Sequence, residues 1–151
     1  MKTRHVIPTV ALASLSGAIF FKFLGQTSFS LHSDEIIYVR VIQEMLHQGS
    51  LWQPTHGGMP YFHKPPFGFW LSLFPVWLLG ESNLSYRLAS ASAGMLAVLF
   101  TYFIAFKLYR SRTTAFLSGT ILLTIKPFIV EEHGCRRAVL DGVLTLFFLA
   151  A

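Results

Sequence analysis

Long apolar runs separated by short polar segments dominate this chain. The first run covers residues 6–24 and is long enough to cross about 30 Å of hydrocarbon as a helix. Lys2 and Arg4 precede it, and the bias of cations toward the cytoplasm places its amino end inside. A cleaved signal peptide is the rival interpretation. The run is long for one, and no small-x-small cleavage site lies just beyond its end, which favours an uncleaved anchor.

Three later runs predict further transmembrane helices, at residues 88–108, 114–130 and 138–151. Ser90 and Gly94 form a small-xxx-small face in the first of them, which favours close helix packing. The last run covers only about 21 Å at about 1.5 Å per residue, so it stops within the bilayer. We therefore expect an all-α integral membrane fold with about four transmembrane helices, the last incomplete. The whole chain would be the amino-terminal portion of a longer multi-spanning module.

Residues 25–87 form the predicted outer loop, which contains two further helices. An apolar stripe opposite a polar face predicts a juxtamembrane helix at residues 34–48, with two acids in its first turn. Residues 66–79 are apolar and aromatic but short, and they admit two placements. If they crossed the bilayer, the cations at residues 107–112 would lie outside, against the usual bias. We therefore expect them at the interface, so that the span 88–108 runs inward.

The composition supports the membrane class. Hydrophobic residues make up 53% of the chain and charged residues only 13%, whereas soluble domains average about 25% charged. The basic residues behind the net charge of +5 mostly flank apolar runs, as topology signals do, so we expect no nucleic-acid binding. Cys135 is the sole cysteine, so no intrachain disulfide can form. The common nucleotide-binding and zinc-binding motifs do not occur.

The predicted topology brings separate acidic and basic groups to one membrane face. These groups are Asp34, Glu35, Lys64, Arg87, Arg136, Arg137 and Asp141. Charged groups near hydrocarbon are costly and commonly functional. Their convergence at the outer interface indicates a site for a charged, lipid-borne substrate.

Residues 31–151 resemble the GT-C glycosyltransferases, specifically the bacterial relatives of protein O-mannosyltransferases and the aminoarabinose transferase that modifies lipid A. Short fragments in a fixed order carry the resemblance. They are Asp34-Glu35 with Tyr38; Glu44-Met45-Leu46 and Gly49; Trp52 and Pro54; Gly58-Met59-Pro60-Tyr61-Phe62-His63-Lys64-Pro65-Pro66 with Trp70; Gly80-Glu81; Arg87; Ser90; and Asp141. Such enzymes span the membrane many times and transfer a sugar from a polyprenyl phosphate to an acceptor outside the cytoplasm.

The resemblance implies a catalytic role for Asp34, as general base or acceptor-orienting carboxylate, and for Glu35, which would orient it. It implies that Lys64 holds the donor phosphate, with Arg136 or Arg137 sharing the task, because negative charge grows on the phosphate as it leaves. The additional site candidates are Asp141 as a second carboxylate, Tyr38, Tyr61 and Arg87.

The resemblance also implies the partners and the location. The partners are a polyprenyl-phosphate-linked sugar, membrane lipid and a protein or glycolipid acceptor, and the location is the bacterial inner membrane with the active face outside the cytoplasm. Two departures argue against the exact aminoarabinose substrate: Ile37 stands where that transferase has arginine, and His63 where it has glutamate. Because histidine and glutamate both bind divalent metals, a metal near His63 is an open hypothesis, and no other cofactor is expected.

Structural interpretations stand beside these functional ones. Asp34 and Glu35 are also typical helix-start residues, and Lys64 would serve as an interfacial anchor. Asp141 would be a helix-start residue that pairs with Arg137 at i, i+4. The main alternative function is a truncated, catalytically inactive membrane protein. A transporter subunit is less favoured, because transport predicts charges at mid-membrane and these cluster at one interface.

Overall fold

The computed structural model describes residues 6–26, 34–48, 51–131 and 133–151, and these are mostly helical. The helices are α1 (Val6–Phe21), α2 (Asp34–Gln48), α3 (Pro66–Leu79), α4 (Asn83–Tyr109), α5 (Arg112–Leu122), α6 (Lys126–Ile129) and α7 (Asp141–Ala150). Strands β1 (Thr55–His56) and β2 (Met59–Pro60) pair antiparallel between α2 and α3. Lys2 and Arg4, on which the predicted orientation of the first run rests, lie outside the described residues.

The two helices predicted within the outer loop match the structure at both ends. α2 and α3 have the bounds 34–48 and 66–79 that the sequence predicts. Pro66 opens α3, where its missing N–H costs no hydrogen bond, and Gly80 follows its end with a φ of 76°. The buried stripe of α2, including Tyr38 and Met45, packs with Phe69 of α3 in one hydrophobic cluster.

α4 is the one helix among the described residues that is long and apolar enough to cross a membrane. Its 27 residues extend about 40 Å at about 1.5 Å per residue. It begins five residues before the predicted start of this span, because Ser82 and Ser85 form a capping box that satisfies the first turn. α1, α3 and α7 are apolar but shorter. The count of four spans therefore stays a prediction.

The predicted span 114–130 is not one continuous helix. α5 ends at Leu122, and α6 begins at Lys126. Pro127 has no N–H, and its ring would clash with the carbonyl of Leu123 if the helix continued. The chain turns instead, with the Thr124 N–H donating to the Ile121 carbonyl over 2.9 Å. The apolar run with its internal proline therefore forms two separate helices.

α4 is the central helix and contacts α1, α3, α5 and α7. Small residues on its surface allow this close approach. A Cβ atom at Gly94 would lie only 2.6 Å from Cys135 Cβ and 3.1 Å from Phe20 Cε1. On the facing helix, a Cβ at Gly142 would lie 3.0 Å from Ser90 Oγ. The predicted close-packing face at Ser90 and Gly94 is confirmed.

A buried ion pair joins α2 to α4. The side chains of Glu35 and Arg87 are 0% and 1% exposed, and Arg87 Nε donates to Glu35 Oε1 over 2.7 Å. Arg87 Nη2 donates to Oε2 over 3.2 Å, and Nη1 donates to the Leu24 carbonyl over 3.0 Å. Glu35 also accepts from Arg137 Nη1 over 3.2 Å and from the Ala138 N–H over 2.9 Å. The pair of Glu35 and Arg87 thus connects α2, α4, the turn after α1 and the segment before α7.

The environment of Glu35 favours its ionised form. Burial raises the pKa of the carboxyl, but hydrogen bonds from Arg87, Ala138 and Arg137 and the charge of Arg87 outweigh it and hold the pKa below its ordinary 4.5. A carboxyl whose pKa is lowered by folding stabilises the fold above its ordinary pKa. That stabilisation is lost as the pH falls through the lowered value. We therefore expect the full contribution at neutral pH and its loss only below pH 4.5.

Glu35→Gln should destabilise the fold by about 3–5 kcal/mol, because it leaves the Arg87 charge buried without a counter-charge. The measurement is the free energy of unfolding in detergent micelles. Glu81→Gln is the matched control, since Glu81 is an exposed carboxylate that also accepts side-chain hydrogen bonds. Its expected cost is about 1 kcal/mol or less. Equal losses in the two variants would contradict the central role of Glu35.

Gly94→Ala should destabilise the fold by about 1–3 kcal/mol, because its methyl group overlaps Cys135. Gly17→Ala in α1 is the matched control, since a Cβ there meets nothing within 4 Å. That variant should stabilise by about 0.5–1 kcal/mol through the higher helix propensity of alanine. Thermal unfolding of both variants in the same detergent is the measurement. A Gly94→Ala protein as stable as the Gly17→Ala protein would contradict the close packing.

Candidate functional site

Asp34 and Tyr38 lie on one face of α2, because residues four apart are neighbours on a helix. The Tyr38 hydroxyl donates to Asp34 Oδ2 over 3.1 Å. Tyr38 is 1% exposed, whereas Asp34 is only partly buried. A buried phenol therefore fixes the orientation of a carboxylate that a reactant can reach.

Lys64 reaches the same region from the segment between the hairpin and α3. Its Nζ lies 6.0 Å from the centroid of the Tyr38 ring, within the range of a cation–π contact. Phe69 of α3 lies edge-on to Tyr38 at 5.7 Å and to Tyr61 at 6.0 Å between centroids. These aromatic contacts bring Lys64 and Tyr61 against the amino-terminal half of α2.

Asp141, the first residue of α7, supplies a second carboxylate. Lys64 and Asp141 line one cavity of about 180 Å³. The other walls are mostly apolar and come from Pro65, Phe67, Gly68, Leu140, Val143, Leu144 and Phe147. His133 Nδ1 lies 3.3 Å from Asp141 Oδ2. The cavity combines a cation, a carboxylate and apolar walls, which suits a polar headgroup attached to an apolar chain.

Arg137 does not pair with Asp141, so the helix-start pairing offered as a structural alternative is wrong. α7 begins at Asp141, so Arg137 precedes it and the two residues do not share a helical face. Arg137 Nη1 lies 3.2 Å from Glu35 Oε2, while Asp141 pairs with His133.

Burial and nearby charges keep the hydroxyl groups of Tyr38 and Tyr61 protonated. Burial raises the pKa of Tyr38, and the hydrogen bond and charge of Asp34 raise it further, followed by smaller effects of Tyr61 and Asp141. Burial also raises the pKa of Tyr61, and the Asp34 charge adds to this shift. These couplings mean that Asp34, Tyr38, Tyr61 and Asp141 form one electrostatic cluster. At neutral pH its phenols donate hydrogen bonds, and its carboxylates are the candidate bases.

The structure uses four other predicted site residues to hold the fold together. Glu35, Arg87 and Arg137 belong to the buried ion-pair network described above. Arg136 donates to the carbonyls of Ile19 and Lys22 over 2.7 Å each, at the end of α1. Glu35 is 0% exposed, so a substrate does not reach its carboxylate in this structure.

His63 is exposed, and its ring lies 5.1 Å from the Tyr61 ring between centroids. Across the described ranges, no three His, Cys, Asp or Glu side chains group closely enough to hold a metal ion. The hypothesis of a metal near His63 stays a prediction.

Sequence reasoning did not assign three residues that the structure brings to this region. Phe69 packs between the two tyrosines, and His133 lies beside Asp141. Glu44 accepts the backbone N–H groups at the tip of the hairpin, Gly57 and Gly58. The signal for Glu44 was present, since it belongs to a fragment of the family resemblance, and a Gly-Gly pair is typical of a tight turn.

Comparison with known proteins gives one family. Residues 13–151 match the family described as dolichyl-phosphate-mannose-protein mannosyltransferase. No solved structure matches the chain significantly.

Three curated relatives share the name undecaprenyl phosphate-alpha-4-amino-4-deoxy-L-arabinose arabinosyl transferase. The Erwinia tasmaniensis protein is 33% identical over 140 residues, which are 93% of this chain and 25% of the relative. The Pectobacterium carotovorum protein is 38% identical over 118 residues, covering 78% and 21%. The Aeromonas hydrophila protein is 35% identical over 134 residues, covering 88% and 24%.

The chain thus spans about a quarter of the length of these curated relatives. The family match, by contrast, extends over nearly all of this chain. The chain therefore belongs to the dolichyl-phosphate-mannose-protein mannosyltransferase family of GT-C glycosyltransferases.

Proposed function

We propose that this chain contributes part of the active site of a multi-pass membrane glycosyltransferase. The enzyme transfers a sugar from a polyprenyl-phosphate donor to an acceptor hydroxyl on the non-cytoplasmic face of the bacterial inner membrane. The names of the relatives favour a pentosyl donor of the aminoarabinose type. The acceptor is a protein, lipid A or another glycan.

One observation carries the proposal: a reachable carboxylate and a cation both lie beside one buried phenol. The Tyr38 hydroxyl contacts Asp34 at 3.1 Å, and its ring lies 6.0 Å from Lys64 Nζ. Glycosyl transfer needs these two groups near each other. A base receives the proton of the attacking hydroxyl, and a cation stabilises the departing phosphate.

The reaction follows from this arrangement. The acceptor oxygen forms a bond to the anomeric carbon while its proton moves to Asp34. The bond between the anomeric carbon and the phosphate oxygen breaks, and its electron pair leaves with the polyprenyl phosphate. Lys64 stabilises that growing negative charge, and the apolar walls beside it accept the first part of the lipid chain.

The remaining site groups orient these reactants. Tyr38 keeps its proton and holds Asp34 by a hydrogen bond. Asp141, which lines the same cavity as Lys64, accepts hydrogen bonds from polar groups of the sugar, and a cationic amino group of an aminoarabinose would bind it more strongly. Tyr61 packs against Phe69, which also packs against Tyr38, and the three rings form an aromatic wall of the site.

Glu35 acts one step away from the reaction. It fixes the first turn of α2 against Arg87 and the Ala138 N–H, and Asp34 is its neighbour in that turn. Because Glu35 fixes the backbone of this turn, it also fixes the position of Asp34, the candidate base. Arg136 and Arg137 support the same structure, because Arg136 donates to backbone carbonyls and Arg137 donates to Glu35. Their share in binding the phosphate stays a prediction.

Asp34→Asn in the full-length protein should lower sugar transfer by about a hundredfold or more, because the amide does not accept the hydroxyl proton. The unfolding free energy should change little, since Asp34 is partly exposed. The measurement is transfer of radiolabelled sugar from the polyprenyl-phosphate donor in membranes, beside thermal unfolding. Turnover within a few-fold of the unchanged protein would refute the base assignment.

Lys64→Ala should weaken donor binding about ten- to a hundredfold, since a charge-assisted contact to the phosphate is lost. Lys64→Arg should keep most of the affinity, because the cation remains. Lys107→Ala is the control. Lys107 is an exposed lysine in the last turn of α4, and its replacement should leave the donor affinity unchanged. The measurement is binding of undecaprenyl phosphate to the purified protein. Equal affinity in the Lys64→Ala and Lys107→Ala proteins would rule out the phosphate contact.

A further inference from the structure

The tip of the hairpin is held by one carboxylate of α2. Glu44 Oε1 accepts the Gly57 N–H over 2.6 Å, and Oε2 accepts the Gly58 N–H over 3.2 Å. Both glycines have positive φ angles, 63° and 77°, a conformation that other residues rarely adopt. Two adjacent N–H groups therefore point to the two oxygens of one side chain. This contact fixes the tip in both position and orientation.

The hairpin transmits that constraint to the site. Thr55 pairs with Pro60 and His56 with Met59, and the Tyr61 N–H donates to the Pro54 carbonyl over 2.8 Å. A ladder this short is marginal by itself, because isolated two-stranded hairpins have little stability in water. The contact with Glu44 supplies an anchor outside the ladder. Fixing the tip therefore fixes Tyr61, where the chain leaves the hairpin.

Lys64 follows Tyr61 by three residues, and Pro65 and Pro66 then lead into α3. Pro60 restricts the backbone between the anchored tip and the lysine, and Pro65 restricts the lysine itself, since proline limits its own φ and the conformation of the residue before it. Glu44 stands on the same helix as Asp34, ten positions further along. A rigid helix thus carries the base at one end and the anchor of the lysine segment toward the other.

We propose that Glu44 is a positioning residue that holds the hairpin, and with it Lys64, in register with Asp34 on α2, a role that rests on the function proposed above. It touches neither donor nor acceptor. Its effect is to set the distance between the cation that binds the phosphate and the carboxylate that accepts the proton. Misplacement of such a group by about 1 Å is enough to lower catalysis strongly.

The protonation state of Glu44 suits this role. The Thr55 hydroxyl, the N–H groups of Gly57 and Gly58 and the nearby His56 lower the pKa of its carboxyl, against a smaller opposing effect of burial. The side chain is therefore ionised at neutral pH and accepts at both oxygens. Glutamine in its place retains one acceptor oxygen and turns a donor toward the second glycine N–H.

The test combines a local and a functional measurement on the full-length protein in detergent. Hydrogen exchange is followed in peptides that contain Gly57 and Gly58, and the KM for the undecaprenyl-phosphate-linked sugar is measured beside kcat. Glu44→Gln should speed exchange at the tip about tenfold or more and raise the donor KM by a similar factor, with a smaller change in kcat. Glu44→Asp keeps the charge but is one methylene shorter. Its tip exchange rate and donor KM should lie between those of the unchanged protein and those of the Glu44→Gln protein.

Two further variants separate positioning from a general loss of structure. Gly57→Ala disturbs the hairpin partner of the contact instead of the carboxylate, because alanine is strained at the φ of +63° found there. It should raise the donor KM as Glu44→Gln does. Glu81→Gln removes a carboxylate that bonds Gln43 and Tyr86 rather than the hairpin, and should leave tip exchange and donor KM unchanged. In a Lys64→Ala background, Glu44→Gln should add nothing to the donor KM, because the residue it positions is already absent.

Each contrary outcome overturns the proposal in a distinguishable way. Unchanged exchange at the tip in the Glu44→Gln protein would show that the carboxylate does not anchor it. Faster exchange with an unchanged donor KM, while Lys64→Ala raises that KM, would leave the proposed function standing and remove the positioning role. If neither Glu44→Gln nor Lys64→Ala changed the donor KM, the proposed function itself would be wrong, and the positioning role would fall with it.

Discussion

The fold depends on one buried carboxylate. Glu35 accepts four hydrogen bonds, two of them from Arg87, and neither side chain is exposed to more than 1%. Leu24, which accepts from Arg87, belongs to the hydrophobic cluster of α1, α4 and α5, while Ala138, which donates to Glu35, belongs to that of α2 and α3. The ion pair therefore connects the two clusters. Breaking such a pair costs more than forming it contributes, because one buried charge is left without a partner.

This constraint gives two adjacent acids different tasks. Glu35 points inward, where its ionised form is fully hydrogen-bonded, while Asp34 stays partly exposed and accepts a hydrogen bond from the Tyr38 phenol. The helix that holds both also carries Glu44, which anchors the hairpin leading to Lys64. The buried face of α2 packs against α3 and is joined to α4 by the Glu35–Arg87 pair, and its amino end presents the candidate base. The family of the chain is consistent with transfer chemistry at this end.

The sequence predicts much of this architecture because local rules govern it. The amphipathic stripe and the flanking turn residues define α2 and α3, and the small residues Ser90 and Gly94 predict the close approach to α4. The pairing of Glu35 with Arg87 is not readable in the same way, because 52 positions separate them and any of several cations could have been the partner. The resemblance groups Arg136 and Arg137 with the phosphate, and it does not predict their hydrogen bonds to backbone carbonyls and to Glu35. Pro127 is itself a signal for a helix break, but the long apolar run around it favours a single span, which the structure does not form.

A double-mutant cycle between Glu35 and Arg87 tests the central claim most directly. The free energy of unfolding in detergent is measured for Glu35→Gln, Arg87→Met and the double variant. If the buried pair is the constraint on which the fold depends, each single change leaves an unpaired buried group, and the double variant loses less than the sum by at least about 1 kcal/mol. Losses that simply add, or single variants as stable as the unchanged protein, would contradict the account.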